Sequence, residues 1–330
     1  MRTKLNDRFS YNKTLLFLSL LCILCACLSV VFGELAVVAV TAFLAAIFVF
    51  ESKQKRIFSF VIPVIVIAIN VGTILLMQSV FSVWGVVSIV SAFVIYYGYV
   101  KGAPKFDTAL IVTGIIALFT VLSLLFAGML SADEFSLEAS INFYEKLYSL
   151  IREEFSKSVV EIYAQIAAET KTEPITIDEA GAILDTMVNL LIAVLAVISF
   201  FVTGLCYKLF GAILNRFAAE RDALASWRFV PPAFFGHFYM VLMIAYFLLS
   251  RGDGVLAITV ANLYLIFMWI YAYVGARILY LYLSEMKSKG FAIFVIGIGM
   301  LLLSSLSMQL LAIIGAFYTS RQINEASSDN

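Results

Sequence analysis

Six polar residues stand inside long apolar stretches of this chain, and any chemistry there would have to start from them: Asn70, Asn189, Asn262, Gln309, His237 and Arg277. A carboxamide both donates and accepts hydrogen bonds. The asparagines and Gln309, with Ser304, Ser305 and Ser307 near the last, therefore have two readings: they tie helices together, or they line a ligand site. His237 is the only histidine, and without a partner in view it is assigned neither as a base nor as a ligand. Arg277 follows Gly275 in a run that stays apolar through Leu283. Its cation either snorkels to the inner end of a span or is buried between helices, and the charge distribution given below favours the first.

Other chemistries find little to work with. No Asp or Glu lies deep in an apolar block, and Glu34, Asp107 and Asp185 sit at block edges. A proton- or sodium-driven pump keeps ionisable groups in its pathway, so this pattern argues against one. Cys22-Ile-Leu-Cys25 has the spacing of a metal or redox pair but no neighbouring histidine or carboxylate. In such a setting these thiols, like Cys27 and Cys206, behave as small hydrophobes. The sequence contains no GxxxxGK loop, nucleophile elbow or paired intramembrane carboxylates. The expectation is a chain that is not an enzyme, has no ATPase of its own, and carries no catalytic, cofactor-binding or metal residues.

The elements that must position the six residues follow from composition. At 63% hydrophobic and 13% charged residues, the chain lies far from soluble averages of about half apolar and a quarter charged. Its blocks are long enough to cross a bilayer as helices and lack the alternation of a barrel strand. The class expected is all-α, a polytopic helical membrane protein of about nine (8–9) spans near 14–32, 35–50, 57–76, 80–99, 108–130, 186–207, 231–249, 255–276 and 291–314. The second block is short for a span. Ile57 to Val100 carries no charge, so it must fold back on itself, near Met77-Gln78-Ser79 or at Asn70-Val71-Gly72. The ninth block must tilt, break near Gly297 to Gly299, or protrude.

The basic residues test that layout. With the N-terminus inside, the inner segments hold Arg2, Lys4, Arg8, Lys13; Lys53, Lys55, Arg56; Lys101, Lys105; Lys208, Arg216, Arg221, Arg228; and Arg277, Lys287, Lys289, sixteen of the 22 in the chain. This is the positive-inside bias, and it puts the segment 131–185 outside, with the C-terminus outside too if the spans number nine. The partners expected are the lipid bilayer and anionic lipids at the inner face. Nucleic acid is not expected, because the basic residues are scattered over five short segments. Leu24-Cys25-Ala26-Cys27 loosely resembles a lipoprotein cleavage box, with Cys27 as the lipidation site; the alternative is an uncleaved first span.

Three regions result: an N-terminal five-span bundle at 1–130, an outer acidic helical segment at 131–185, and a C-terminal four-span bundle at 186–330 that includes an inner interfacial helix at 208–228. In the outer segment Ile141, Tyr144, Tyr148, Ile151, Phe155, Val159, Ile162 and Ile166 recur at steps of three and four, one stripe along an amphipathic helix. Ser131 with Glu134 and Thr176 with Glu179 have the spacing of capping boxes, and Pro174 ends the first run. The stripe packs on the protein's own helices, lies on the membrane, or, through helices 137–168, meets a membrane protein partner. Tyr96, Tyr97 and Tyr99, with Tyr271, Tyr273, Tyr280 and Tyr282, read as an aromatic belt at inner span ends. Ala42/Ala46, Ala257/Ala261 and Ala312/Ala316 are small pairs that allow close helix approach.

At the interfacial element, Asn215, Phe217, the charged stretch through Asp222, and Trp227-Arg228-Phe229-Val230-Pro231 before a new span resemble the YybS-like family of bacterial multi-pass membrane proteins of unknown function. The layout of about five spans, a long loop and a C-terminal set is similar as well. The resemblance implies a place in the bacterial cytoplasmic membrane and, one step further, a fold analogy to the substrate-binding membrane subunits of energy-coupling vitamin transporters, which does not by itself decide function. Two functions remain. The first is a membrane-embedded small-molecule binding or transport-type subunit that relies on a separate energising partner. The alternative is an envelope scaffold or assembly protein. A polar cavity among the spans bearing the four amides favours the first, whereas packed amides with an exposed stripe on the outer helices favour the second.

Overall fold

The computed structural model describes residues 2–32, 34–54, 61–77, 84–132, 135–170, 173–217, 229–249, 252, 254–286 and 288–328, without the side chains of 2–12, 29–35, 53–54, 74–77, 168–170, 286, 299–305 and 322–328. Among the described residues the fold is all-helical. The helices are α1 (Arg2–Phe32), α2 (Glu34–Gln54), α3 (Val61–Met77), α4 (Trp84–Lys101), α5 (Lys105–Ser131), α6 (Leu137–Thr170), α7 (Ile177–Asn189), α8 (Leu191–Phe217), α9 (Ala233–Leu249), α10 (Val255–Met286) and α11 (Lys289–Ser328).

Among the described residues, four stretches are long and apolar enough to cross a membrane: Trp84–Lys101, Lys105–Ser131, Leu191–Phe217 and Val255–Glu285. Further apolar runs among the residues with described side chains are Lys13–Leu28, Ala36–Ser52, Val61–Thr73, Ala233–Leu249 and Lys289–Ile298, which lie within α1, α2, α3, α9 and α11. The fold is thus compatible with a membrane location. The charge-free block from Ile57 does divide in two. α3 runs unbroken through Asn70-Val71-Gly72 to Met77, and α4 begins at Trp84; Gln78 and Ser79 lie outside the described residues. α11 continues through Gly297 and Gly299 without a break.

The chain divides into two compact units, Met1–Asp185 with Ile198–Arg228, and Thr186–Val197 with Phe229–Asn330. In the N-terminal unit α2 buries Ala42, Leu44, Ala45, Ala46, Ile47 and Val49, and its neighbour α4 buries Ser88, Ser91, Ala92 and Ile95. Small residues on both sides let these backbones approach. α4 turns into α5 at Gly102, whose φ of +68° suits a residue without a Cβ; Ala103 N–H donates to Gly98 O at 2.9 Å to close the helix end.

α6 docks on the end of α5. Ser140 Oγ donates to Leu125 O (3.0 Å) and Tyr144 Oη to Leu124 O (2.6 Å). Gly128 is the contact point, since a Cβ there would meet Ser140 Oγ at 2.3 Å. The expected capping box at Ser131 is corrected: Ser131 ends α5, and Ser136 caps α6, accepting from Ala139 N–H at 3.0 Å. Glu134 lies outside the described residues. The second box forms as expected. Glu179 N–H donates to Thr176 Oγ1 (3.3 Å), and Thr176 N–H and Oγ1 both donate to Glu179 Oε2 (2.8 Å). α7 then leads into α8 across a single turn residue, Leu190. Of the interfacial helix expected at 208–228, α8 supplies the part to Phe217; Asp222, Trp227 and Arg228 lie outside the described residues.

Candidate functional site

The C-terminal unit is assembled around glycines that bring α9, α10 and α11 together. A Cβ on Gly275 of α10 would lie 1.9 Å from Leu311 O, and one on Gly315 of α11 would lie 2.2 Å from Tyr271 O. A Cβ on Gly236 of α9 would meet Ala316 O of α11 at 2.9 Å. Backbone therefore packs on backbone at both interfaces, with Ala312 and Ala316 fully buried beside them.

That closeness seals in a file of tyrosines. Tyr239 and Tyr246 are seven residues apart on α9, and Tyr264 and Tyr271 seven apart on α10, so each pair shares a helix face. Tyr246 stacks on Tyr264 (centroids 4.4 Å, planes 11° apart), Tyr264 on Tyr239 (5.9 Å, 9°), and Tyr239 meets Tyr271 at 5.4 Å and 35°. Tyr239 and Tyr271 are 0% exposed and Tyr264 is 4% exposed. Their three hydroxyl oxygens are cut off from solvent, and none has a partner in hydrogen-bond geometry. Phe235, Phe267, Met240, Met243, Met268 and Met308 are among the residues packed around them.

The six residues singled out from sequence fall in five places. Asn262 and Asn189 come together. Asn262, 6% exposed, donates from Nδ2 to Asn189 O (2.7 Å) and Ile258 O (2.9 Å), and its Oδ1 accepts from Ala193 N–H (2.9 Å). Asn189 O and Ala193 N–H are the i and i+4 partners of an ordinary helix. The Asn262 amide takes the place of that missing link where α7 meets α8, a side-chain insertion of the kind that breaks helices. Asn70, in the N-terminal unit, is buried and accepts from Gly85 N–H at 3.1 Å through Oδ1, joining α3 to α4. Gln309 is half-buried on α11. His237 is exposed, with Nδ1 3.1 Å from Ala233 O of its own helix. Arg277 is exposed, and its Nη1 donates to Phe229 O at 3.4 Å. Ser307 is buried, while the side chains of Ser304 and Ser305 lie outside the described residues.

Two readings need correction. Tyr271 is no belt residue: it is core, whereas Tyr273 and Tyr282 are 48% and 60% exposed. The tyrosine file itself was missed, because tyrosine near a span end reads as interfacial. The matched seven-residue spacings were the available signal. The expectation that no Asp or Glu lies within an apolar helix meets an exception in Glu51, which is 3% exposed on α2, a helix that continues past the expected span end to Gln54.

In the N-terminal unit, Asp185 of α7 accepts from Arg152 Nε (3.1 Å) and Nη2 (3.4 Å), and from the Tyr148 hydroxyl, all of α6. These donors hold its carboxyl below the ordinary 3.8, Arg152 first, while the Asp185 carboxylate pushes the Tyr148 phenol up. Gly181 leaves room for the guanidinium, since a Cβ there would meet Arg152 Nη2 at 2.5 Å. α7 is thereby clamped to α6. α6 also exposes Leu137, Ile141, Leu150, Ile151, Ile162 and Ile166. Closer to α4, Tyr207 Oη donates to Thr108 Oγ1 at 2.8 Å, and Lys105 Nζ lies 5.3 Å from the Tyr207 ring centroid.

Fold and site together define a protein whose described residues are helical, with four membrane-length apolar helices among them and a buried aromatic file in the C-terminal unit. No family model, curated protein or solved structure matches the chain.

Proposed function

We propose that this chain is a multi-pass protein of the bacterial cytoplasmic membrane that works as a small-molecule binding or transport-type subunit without an ATPase or enzymatic activity of its own. Nine spans, with the N-terminus inside and 131–185 and the C-terminus outside, form part of the proposal. It is supported by the five further apolar runs, which fall on the remaining expected blocks, and by the alternation of basic residues. Kinship to the YybS-like family and contact with anionic lipids at the inner face belong to the same reading.

One observation carries the binding function: three phenolic hydroxyls sealed in an apolar core with no hydrogen-bond partner. Buried polar groups are ordinarily satisfied, so such a cluster calls for a role. The binding reading thereby moves from the amides, since Asn70 and Asn262 are engaged in joining helices, to the tyrosines. Purification from native membrane, followed by identification of what co-purifies, tests it. A tight ligand or a coupling subunit supports the proposal; the absence of both refutes it.

The scaffold reading has its own supporting observation, the exposed apolar residues of the clamped α6. Photo-crosslinkers at Leu150 and Ile162 that capture another membrane protein, with no ligand found, would move the assignment there.

A further inference from the structure

We propose that the hydroxyls of Tyr239, Tyr264 and Tyr271 form a binding site for a small neutral molecule that hydrogen-bonds through a hydroxyl or carbonyl oxygen, water being the smallest member of that class. The inference rests on the proposed binding function and specifies its ligand chemistry. A buried hydroxyl without a partner carries its full desolvation cost, and three of them lie in one cluster. The Tyr239 and Tyr264 hydroxyls face one another closely enough to interact, though outside good hydrogen-bond geometry, so these two are near enough to share one occupant.

The surroundings select the chemistry. The ring faces are taken up by one another, Tyr246 on Tyr264 and Tyr264 on Tyr239, which removes the open aromatic face that a quaternary ammonium needs. The hydrophobic side chains packed against the cluster, Phe235, Phe267 and Leu279 among them, offer an ion no solvation, which favours a neutral guest. What remains for recognition is the phenolic edge, which both donates and accepts. Four methionines, Met240, Met243, Met268 and Met308, line the same cluster. Their flexible thioethers form a wall that adapts to a guest's apolar part.

The test uses the full chain in nanodiscs of native lipid, with Tyr239→Phe, Tyr264→Phe and Tyr271→Phe made singly and together, and Tyr246→Phe at the half-buried end of the file as a control. Removing an idle buried hydroxyl leaves the thermal midpoint unchanged or raises it. Removing one that is bonded to an occupant lowers the midpoint by about 2–4 °C, and that fall is expected for each of the three but not for the control. An unchanged or raised midpoint in all three single variants overturns the proposal.

Extraction with mass spectrometry, paired with X-ray radiolytic labelling of the rings by bound water, identifies the occupant. A neutral organic molecule present in the wild type and at least tenfold depleted in the triple variant supports both the site and the binding function. Labelling of the three rings with no organic molecule found supports the site, filled by water, and refutes the binding function. Neither signal overturns the site as well.

Discussion

Replacing Asn262 by leucine keeps the side chain's approximate volume and removes all three of its hydrogen bonds. The losses are unequal. Ala193 is 0% exposed, so its N–H is left with neither protein nor water, at about 1–3 kcal/mol. Asn189 is exposed, so its carbonyl finds other partners, and the Ile258 carbonyl keeps its own helical donor. Each of those two bonds is therefore worth nearer the roughly 0.6 kcal/mol average for side-chain bonds between membrane helices. Together they give a destabilisation of about 2–4 kcal/mol for Asn262→Leu, provided the break at Leu190 persists.

Denaturant or thermal unfolding in a fixed detergent measures this, and amide exchange at Ala193 reports the mechanism. Loss of protection at Ala193 together with the predicted destabilisation supports the reasoning. Asn262→Asp keeps the acceptor for Ala193 N–H but loses the donor to Asn189 O, so Ala193 should stay protected. If Asn262→Leu unfolds at the wild-type midpoint with Ala193 still protected, then α7 and α8 have closed their own Asn189 O to Ala193 N–H link. In that case Asn262 is not what holds the break open.

Gly275→Ala drives a Cβ into the Leu311 carbonyl, which no rotamer relieves; a loss of about 3 kcal/mol is expected for the C-terminal unit by the same unfolding assay. Asp185→Asn removes the carboxylate that Arg152 and Tyr148 grip, so amide exchange in α7 should quicken while that at the α5 end of α6 stays slow. Because the Asp185 carboxyl lies below its ordinary 3.8 when folded, the clamp's contribution is fully present above that value and is lost only as pH falls through the lower folded one. Exchange in α7 should therefore be flat from pH 8 to 5, once corrected for intrinsic rates, and an opening near neutrality would refute the clamp. With the four native cysteines replaced, a cysteine at exposed Ser158 should label from outside and one at Lys53 only from inside; Ser156, at 2% exposure, is a poor reporter. Labelling at Lys53 from outside would overturn the topology.

Much of the local structure was legible beforehand because its causes are local. Apolar content over twenty residues sets where helices form: each expected block overlaps a helix among the described residues, four of them long and apolar enough to cross a membrane. The three-and-four stripe marked α6, and Thr176 with Glu179 marked the start of α7 to the residue. Ala312 and Ala316 were marked as a close-packing pair, and both are fully buried. Capping was less secure where two serines competed. Ser131 and Ser136 have the same chemistry, and what decides between them is how far α5 continues, which depends on α6 packing back over Gly128.

What sequence alone determined is therefore the class of the protein, its helical blocks and the short list of polar groups within them. What only the tertiary structure decided is the role each polar group plays, because that depends on a neighbour distant in the chain. Asn262 and Asn189 are 73 residues apart, and nothing local says that one would supply the helix link the other lacks. Tyr271 resembles its belt neighbours in sequence, yet Gly275 and Gly315 remove the space between α10 and α11 and seal it in the core. A side chain's intrinsic chemistry belongs to its residue type, but its burial and partners are set by the backbone that packs against it.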